Sequence, residues 1–185
     1  RSQEGGLKIA NPIYQEVIPR VLSQGVQDSL PMIQPSWLNP DGSLNTQVLL
    51  DAFLKFWRQH GEPLFKSANY PEVAPHLVMM AFLHRVVNGN GTLEREYAIG
   101  SGKMDICLRY GKQTMAMELK VWADKRPDPL KEGLPQIDKY LSGLSLDSGW
   151  LVIFDRRSGL PPLSDRTTTE NVISPAGREI IVIRG

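Results

Sequence analysis

Two short apolar runs, Met104–Tyr110 and Gln113–Val121, are joined by the dipeptide Gly111-Lys112. Glycine at the first central position suits a two-residue hairpin of the II′ type. That turn sets Tyr110 opposite Gln113 and fixes the register behind it. Leu108 then faces Met115, Ile106 faces Met117 and Met104 faces Leu119. Every deeper pair on that face is apolar, so a slip by one residue would bury the wrong side. The other face carries charge. Asp105 falls opposite Glu118, and Lys120 lies one alternate step further along. Two carboxylates facing each other across strands repel unless a cation lies between them. A hard divalent ion with oxygen ligands meets that need, and Mg²⁺ (or Mn²⁺) is the candidate.

The rest of the chain supplies layers for this hairpin. Residues 46–60 predict a helix with the apolar stripe Leu49, Leu50, Phe53, Leu54 and Trp57, stopped at Gly61. Glu62-Pro63 marks a boundary, giving a helical extension over 1–65 and a main domain over 66–185. Upstream, Leu7–Ala10 reads as a short strand and Asn11-Pro12 as a helix start. Residues 31–43 read as a loop. A second helix runs from about Pro75 to Val87 and ends at Asn88-Gly89-Asn90-Gly91. Strands are expected over 93–99, 103–110 and 113–121, then a polar loop over 123–133 and a helix over 135–142 with Gly143 near its end. Gly149–Phe154 reads as a buried strand, 156–176 as irregular, and Glu179–Ile183 as a last strand.

With 185 residues, 41% hydrophobic and 22% charged, the composition is that of a globular protein. The formal net charge of +1 excludes a broadly basic surface, so nucleic-acid binding would need a local patch. The single cysteine, Cys107, excludes an intrachain disulfide. It reads as a space-filler beneath the acidic pair. With no signal pattern and no membrane-length apolar run, a cytoplasmic location is expected. His60, His76 and His84 show no zinc-ligand spacing. Arg156-Arg157 reads equally as a solvated loop or a nucleic-acid contact. Arg95, Arg109 and Lys112 would extend a basic patch if the fold gathers them.

The order helix, three strands, helix, strand, with Asp105 in Gly102-Lys103-Met104-Asp105 and the run Glu118-Leu119-Lys120, resembles the PD-(D/E)xK nuclease superfamily. Gln136-Ile137-Asp138-Lys139-Tyr140 is similar to the Gln-x-x-x-Tyr element of its RecB-like branch, and Glu72 stands where the family's first helix often supplies another acid. Asn11-Pro12-Ile13-Tyr14, Phe56-Trp57-Arg58-Gln59-His60-Gly61-Glu62 and Phe154-Asp155-Arg156-Arg157 resemble the C-terminal region of prokaryotic AAA-ATPase-like proteins. The absence of an initiator Met agrees with a chain cut from something longer.

The resemblance implies an α/β fold with a restriction-endonuclease-like mixed central sheet flanked by helices, an αβββαβ core, after an N-terminal helical extension. It implies metal-dependent hydrolysis of phosphodiester bonds, with DNA as the substrate and an ATPase domain N-terminal to this region. Asp105, Glu118 and the Leu119 carbonyl would hold Mg²⁺ or Mn²⁺. Lys120 would orient water or neutralise charge, Gln136 and Tyr140 would edge the site, and Glu72 would join them. The competing expectation is a catalytically silent nuclease-fold module that binds nucleic acid or a partner.

Overall fold

The computed structural model describes residues 37–67, 74–87, 91–99 and 102–185. The strand expected at 7–10, the helix start at Asn11-Pro12 and the acid Glu72 lie outside these residues.

The hairpin folds as its sequence demands. Strands β2 (Gly102–Tyr110) and β3 (Gln113–Trp122) pair antiparallel, with Tyr110 on Gln113, Leu108 on Met115 and Ile106 on Met117. Gly111 takes φ 56° in the turn, the sign that glycine tolerates without cost. Strand β1 (Gly91–Ile99) completes an antiparallel meander against β2. A helix, α3 (Leu130–Leu144), then carries the chain over the sheet to β4 (Ser148–Asp155), which runs parallel to β3. After a single helical turn, α4 (Leu163–Arg166), strands β5 (Thr168–Ile173) and β6 (Glu179–Arg184) close the order β1-β2-β3-β4-β6-β5. The result is a mixed six-stranded sheet between helices, in an α/β arrangement.

Helices α1 (Thr46–Ser67) and α2 (Ala74–Val87) cover one face. Asn45 caps α1, its side-chain oxygen accepting the Val48 N–H at 3.0 Å. Phe53 and Trp57 meet Phe82 and Phe154 edge-on, with centroids 5.3 and 5.0 Å apart. Each such pair adds about 0.5–1.5 kcal/mol beyond burial. The Gln113 side chain bonds both the N–H and the carbonyl of Leu44, tying the segment before α1 to the hairpin. On the other face, Ile137, Tyr140 and Leu141 of α3 pack on Cys107, Ala116, Leu151 and Ile153.

Four expectations need correction. Gly61 does not stop α1. The helix runs on through Glu62 and Pro63, past position 65, and its buried face shares one core with the sheet. Gly61 is there for space: a Cβ would stand 2.6 Å from a Leu163 methyl and 3.0 Å from the Trp57 ring. Helix α3 begins five residues early, within the expected loop. Asp128 accepts the Leu130 N–H to start it, and Gly133 lets Leu151 of β4 approach, so Gly133 and Pro135 sit inside the helix. The segment 156–176 contains β5, an edge strand. Most of its residues are exposed, so no in–out alternation marks it. Finally, Met104 does not face Leu119. Leu119 packs under α1 and α2, whereas Met104 joins the cluster under α3.

Among the described residues no helix is long and apolar enough to cross a membrane.

Candidate active site

The Met104 displacement locates the site. Ladder pairing between β2 and β3 ends at Ile106–Met117, and pairing between β1 and β2 skips the step between Arg95–Ile106 and Tyr97–Met104. Asp105 sits in both gaps. Opposite it on β1, Glu96 adopts φ 51°, a left-handed conformation that costs a non-glycine residue about 1–2 kcal/mol. In this gap the Asp105 carboxylate accepts the Leu119 N–H at 2.8 Å. A strand residue's N–H and C=O point to the same edge, so the Leu119 carbonyl faces the same opening.

Alternation sends Glu118, between Met117 and Leu119, to the α3 side. There it is buried, with 4% of its surface exposed. One carboxylate oxygen meets the Lys120 ammonium at 3.1 Å, and the other is buried with no hydrogen-bond partner. Burial first, and the Asp105 charge second, push the Glu118 carboxyl up to about 7 against the pull of Lys120. Burial works against the Lys120 charge as well, but Glu118 and Glu132 outweigh it and hold the ammonium above its ordinary range.

Helix α3 brings the next residues. Glu132, Gln136 and Tyr140 recur every four residues and share a face. Glu132 reaches Lys120 at 3.4 Å and the Gln136 amide at 3.3 Å. The Gln136 side-chain oxygen is a second buried acceptor without a partner. Tyr140 is buried, and burial, then Glu118 and Asp105, raise its hydroxyl above the usual range.

The expected residues Asp105, Glu118, Lys120, Gln136 and Tyr140 therefore converge, whereas Glu72 is not among the described residues. Two others join them without having been expected. Glu132 would have been found by extending the Gln136–Tyr140 stripe back one turn, had the helix been drawn that far. His76, in the first turn of α2, lies in the field of Asp105. Burial, with Arg95 and Lys120, holds its imidazole below the ordinary range. No sequence pattern pointed to it.

No protein-family model, curated protein or solved structure matches this chain. The chemistry of the site must be read from its own residues. Among the described residues no group of three or more His, Cys, Asp or Glu side chains is placed to hold a metal ion. The Asp105 carboxylate accepts the Leu119 N–H and acts by its charge on Glu118, one of whose oxygens lacks a donor. That donor set fits a hard cation that keeps much of its water shell, as Mg²⁺ does.

Proposed function

We propose that this chain is a metal-dependent nuclease of the PD-(D/E)xK type, with the restriction-endonuclease-like core, that hydrolyses phosphodiester bonds in DNA. One observation carries the reading. Asp105, Glu118 and Lys120 meet where both ladders flanking Asp105 open, and a buried Glu118 oxygen is left without a partner.

Asp105, Glu118 and the Leu119 carbonyl would hold Mg²⁺ or Mn²⁺. Once bound, such an ion polarises the phosphate and acidifies a coordinated water. The protein's own groups do the rest. Burial makes the Glu118 charge costly alone and favourable beside a cation. Lys120, kept protonated by Glu118 and Glu132, presents a fixed positive charge to the oxygens that gain charge as the bond breaks. Glu132 restrains the ammonium from the helix side, and the Gln136 amide holds Glu132 in turn. An ATPase module N-terminal to this chain, working in the cytoplasm, belongs to the same proposal. Precipitation of the parent protein from its own cells, with ATP hydrolysis as readout, checks it.

A second reading has one observation in its favour: Lys120 already serves as counter-ion to Glu118, so the acidic pair is partly balanced without a metal. On that reading the chain binds nucleic acid or a partner without cutting.

Labelled DNA and RNA incubated with Mg²⁺ or Mn²⁺ decide between them. Asp105→Ala and Lys120→Ala should each lower cleavage by at least roughly a hundredfold while the fold persists. Cleavage that is undiminished in both variants rejects the site. DNA binding with no cleavage, and no metal uptake by calorimetry at millimolar ion, establishes the second reading.

A further inference from the structure

The parallel strands β3, β4 and β6 end side by side at Trp122, Asp155 and Arg184. Trp122 follows Lys120 by one alternate step, so it lies on the same sheet face, roughly 7 Å further along β3. The Arg157 guanidinium stacks on it, 3.5 Å from the ring centroid, and that of Arg184 lies 5.7 Å away.

This platform is held from every side. Asp155 fixes Arg157 through two bonds, 2.9 Å from Nε and 2.6 Å from Nη2. The Trp122 ring N–H donates to the Arg126 carbonyl at 3.0 Å. Arg184 is clamped between Asp128 at 3.0 Å and Glu170 at 3.3 Å. The indole rests on the apolar cluster beneath α3.

The Arg157 side chain keeps 35% of its surface exposed, so the stacked guanidinium is open to solvent. Asp155 takes two of the five guanidinium N–H groups, which leaves donors in a fixed plane. Three of the four tryptophans are buried, and Trp122 alone is partly exposed.

We propose that the Trp122–Arg157 stack is a phosphate subsite of this chain, receiving the sugar–phosphate backbone of a nucleic-acid strand beyond the acid–lysine site, toward the carboxyl ends of the parallel strands. It deepens the nuclease reading and rests on it for its choice of ligand. The strand then runs along β3 toward the carboxyl ends of the parallel strands. Arg157 donates to a backbone phosphate from the edge that Asp155 leaves open. Trp122 supplies the flat support that keeps the guanidinium from turning away.

Fluorescence titration of the full chain in EDTA tests this without cleavage, using one single-stranded and one duplex oligonucleotide. Either nucleic acid should quench or shift the tryptophan emission, and Trp122→Phe should abolish the response. Arg157→Ala should weaken binding roughly tenfold and reduce the slope of log affinity against log salt by about one. Arg157→Lys should restore the slope, because it keeps the charge, but only part of the affinity, because it lacks the fork. If Arg157→Ala proves unstable, the wild-type emission and the Lys variant carry the test. Unmoved emission, or both Arg157 variants binding like wild type with the same salt slope, overturns the subsite. Binding with the expected signatures but no cleavage in Mg²⁺ or Mn²⁺ supports the subsite while sinking the nuclease reading. Cleavage by a chain whose Arg157 variants bind normally sinks the subsite alone.

Discussion

Glu118→Gln replaces the buried carboxyl by a neutral group of the same shape, and its effect should depend on pH in one direction only. In the folded protein the carboxyl titrates at about 7 against an ordinary 4.5, because burial and Asp105 disfavour its charge. At about 1.36 kcal/mol per pH unit, that difference corresponds to about 3 kcal/mol. The folded state keeps its proton longer than the unfolded chain does. The stabilisation is therefore complete below pH about 4.5 and is lost as pH rises through about 7. Glutamine has no such dependence. In EDTA the two proteins should be nearly equal in stability close to pH 4.5, and the variant should gain steadily to an advantage of up to about 3 kcal/mol at pH 8. For a chain of this size that is roughly 6–12 °C in Tm. Titrating groups that do not feel Glu118 shift both proteins alike and cancel in the difference, and Lys120 and Tyr140, which do feel it, are both held above their ordinary ranges in the wild type. Thermal unfolding at half-unit pH steps measures it. With millimolar Mg²⁺ or Mn²⁺ the advantage should shrink above pH 7, because the ion binds the ionised form. Parallel curves in EDTA, or a wild type that gains on the variant as pH rises, would refute the reasoning.

Two stability tests probe how the site is built. Gly133→Ala places a methyl group 2.7–2.8 Å from the Leu151 methyls. It should cost about 1–3 kcal/mol in chemical denaturation and lower cleavage by lifting Gln136 and Tyr140 from the sheet. Glu96→Gly should be neutral or stabilising by about 1 kcal/mol, since it relieves the left-handed backbone opposite Asp105 and gives up only the exposed pair with Lys103 at 3.0 Å. A loss of more than that in a denaturant melt would show that the conformation is not strained.

What could be read ahead followed strong local rules. Gly111-Lys112 set the turn, and the apolar pairs behind it set the register as far as Ile106–Met117. The continuous apolar run at Gly149–Phe154 marked a strand buried on both faces. Where the sequence misled, a residue served a distant neighbour rather than its own segment. Gly61 and Gly133 look like helix breakers, but they are gaps made for Leu163 and Leu151. Strand β5 escaped notice because it is a mostly exposed edge strand, with only Val172 packed on the core and so no inner face to pattern.

The sequence by itself determined the hairpin and placed Asp105, Glu118 and Lys120 on it, because turn chemistry and a period of two act between near neighbours. Tertiary structure alone decided that the ladders part at Asp105, that Glu118 loses its water, and that Glu132 and His76 join the site. It also stacked Arg157 on Trp122, 35 residues away in the chain. Those outcomes depend on what α2, α3 and the parallel strands bring across the sheet, and no local pattern encodes the approach of a surface that is distant in the chain.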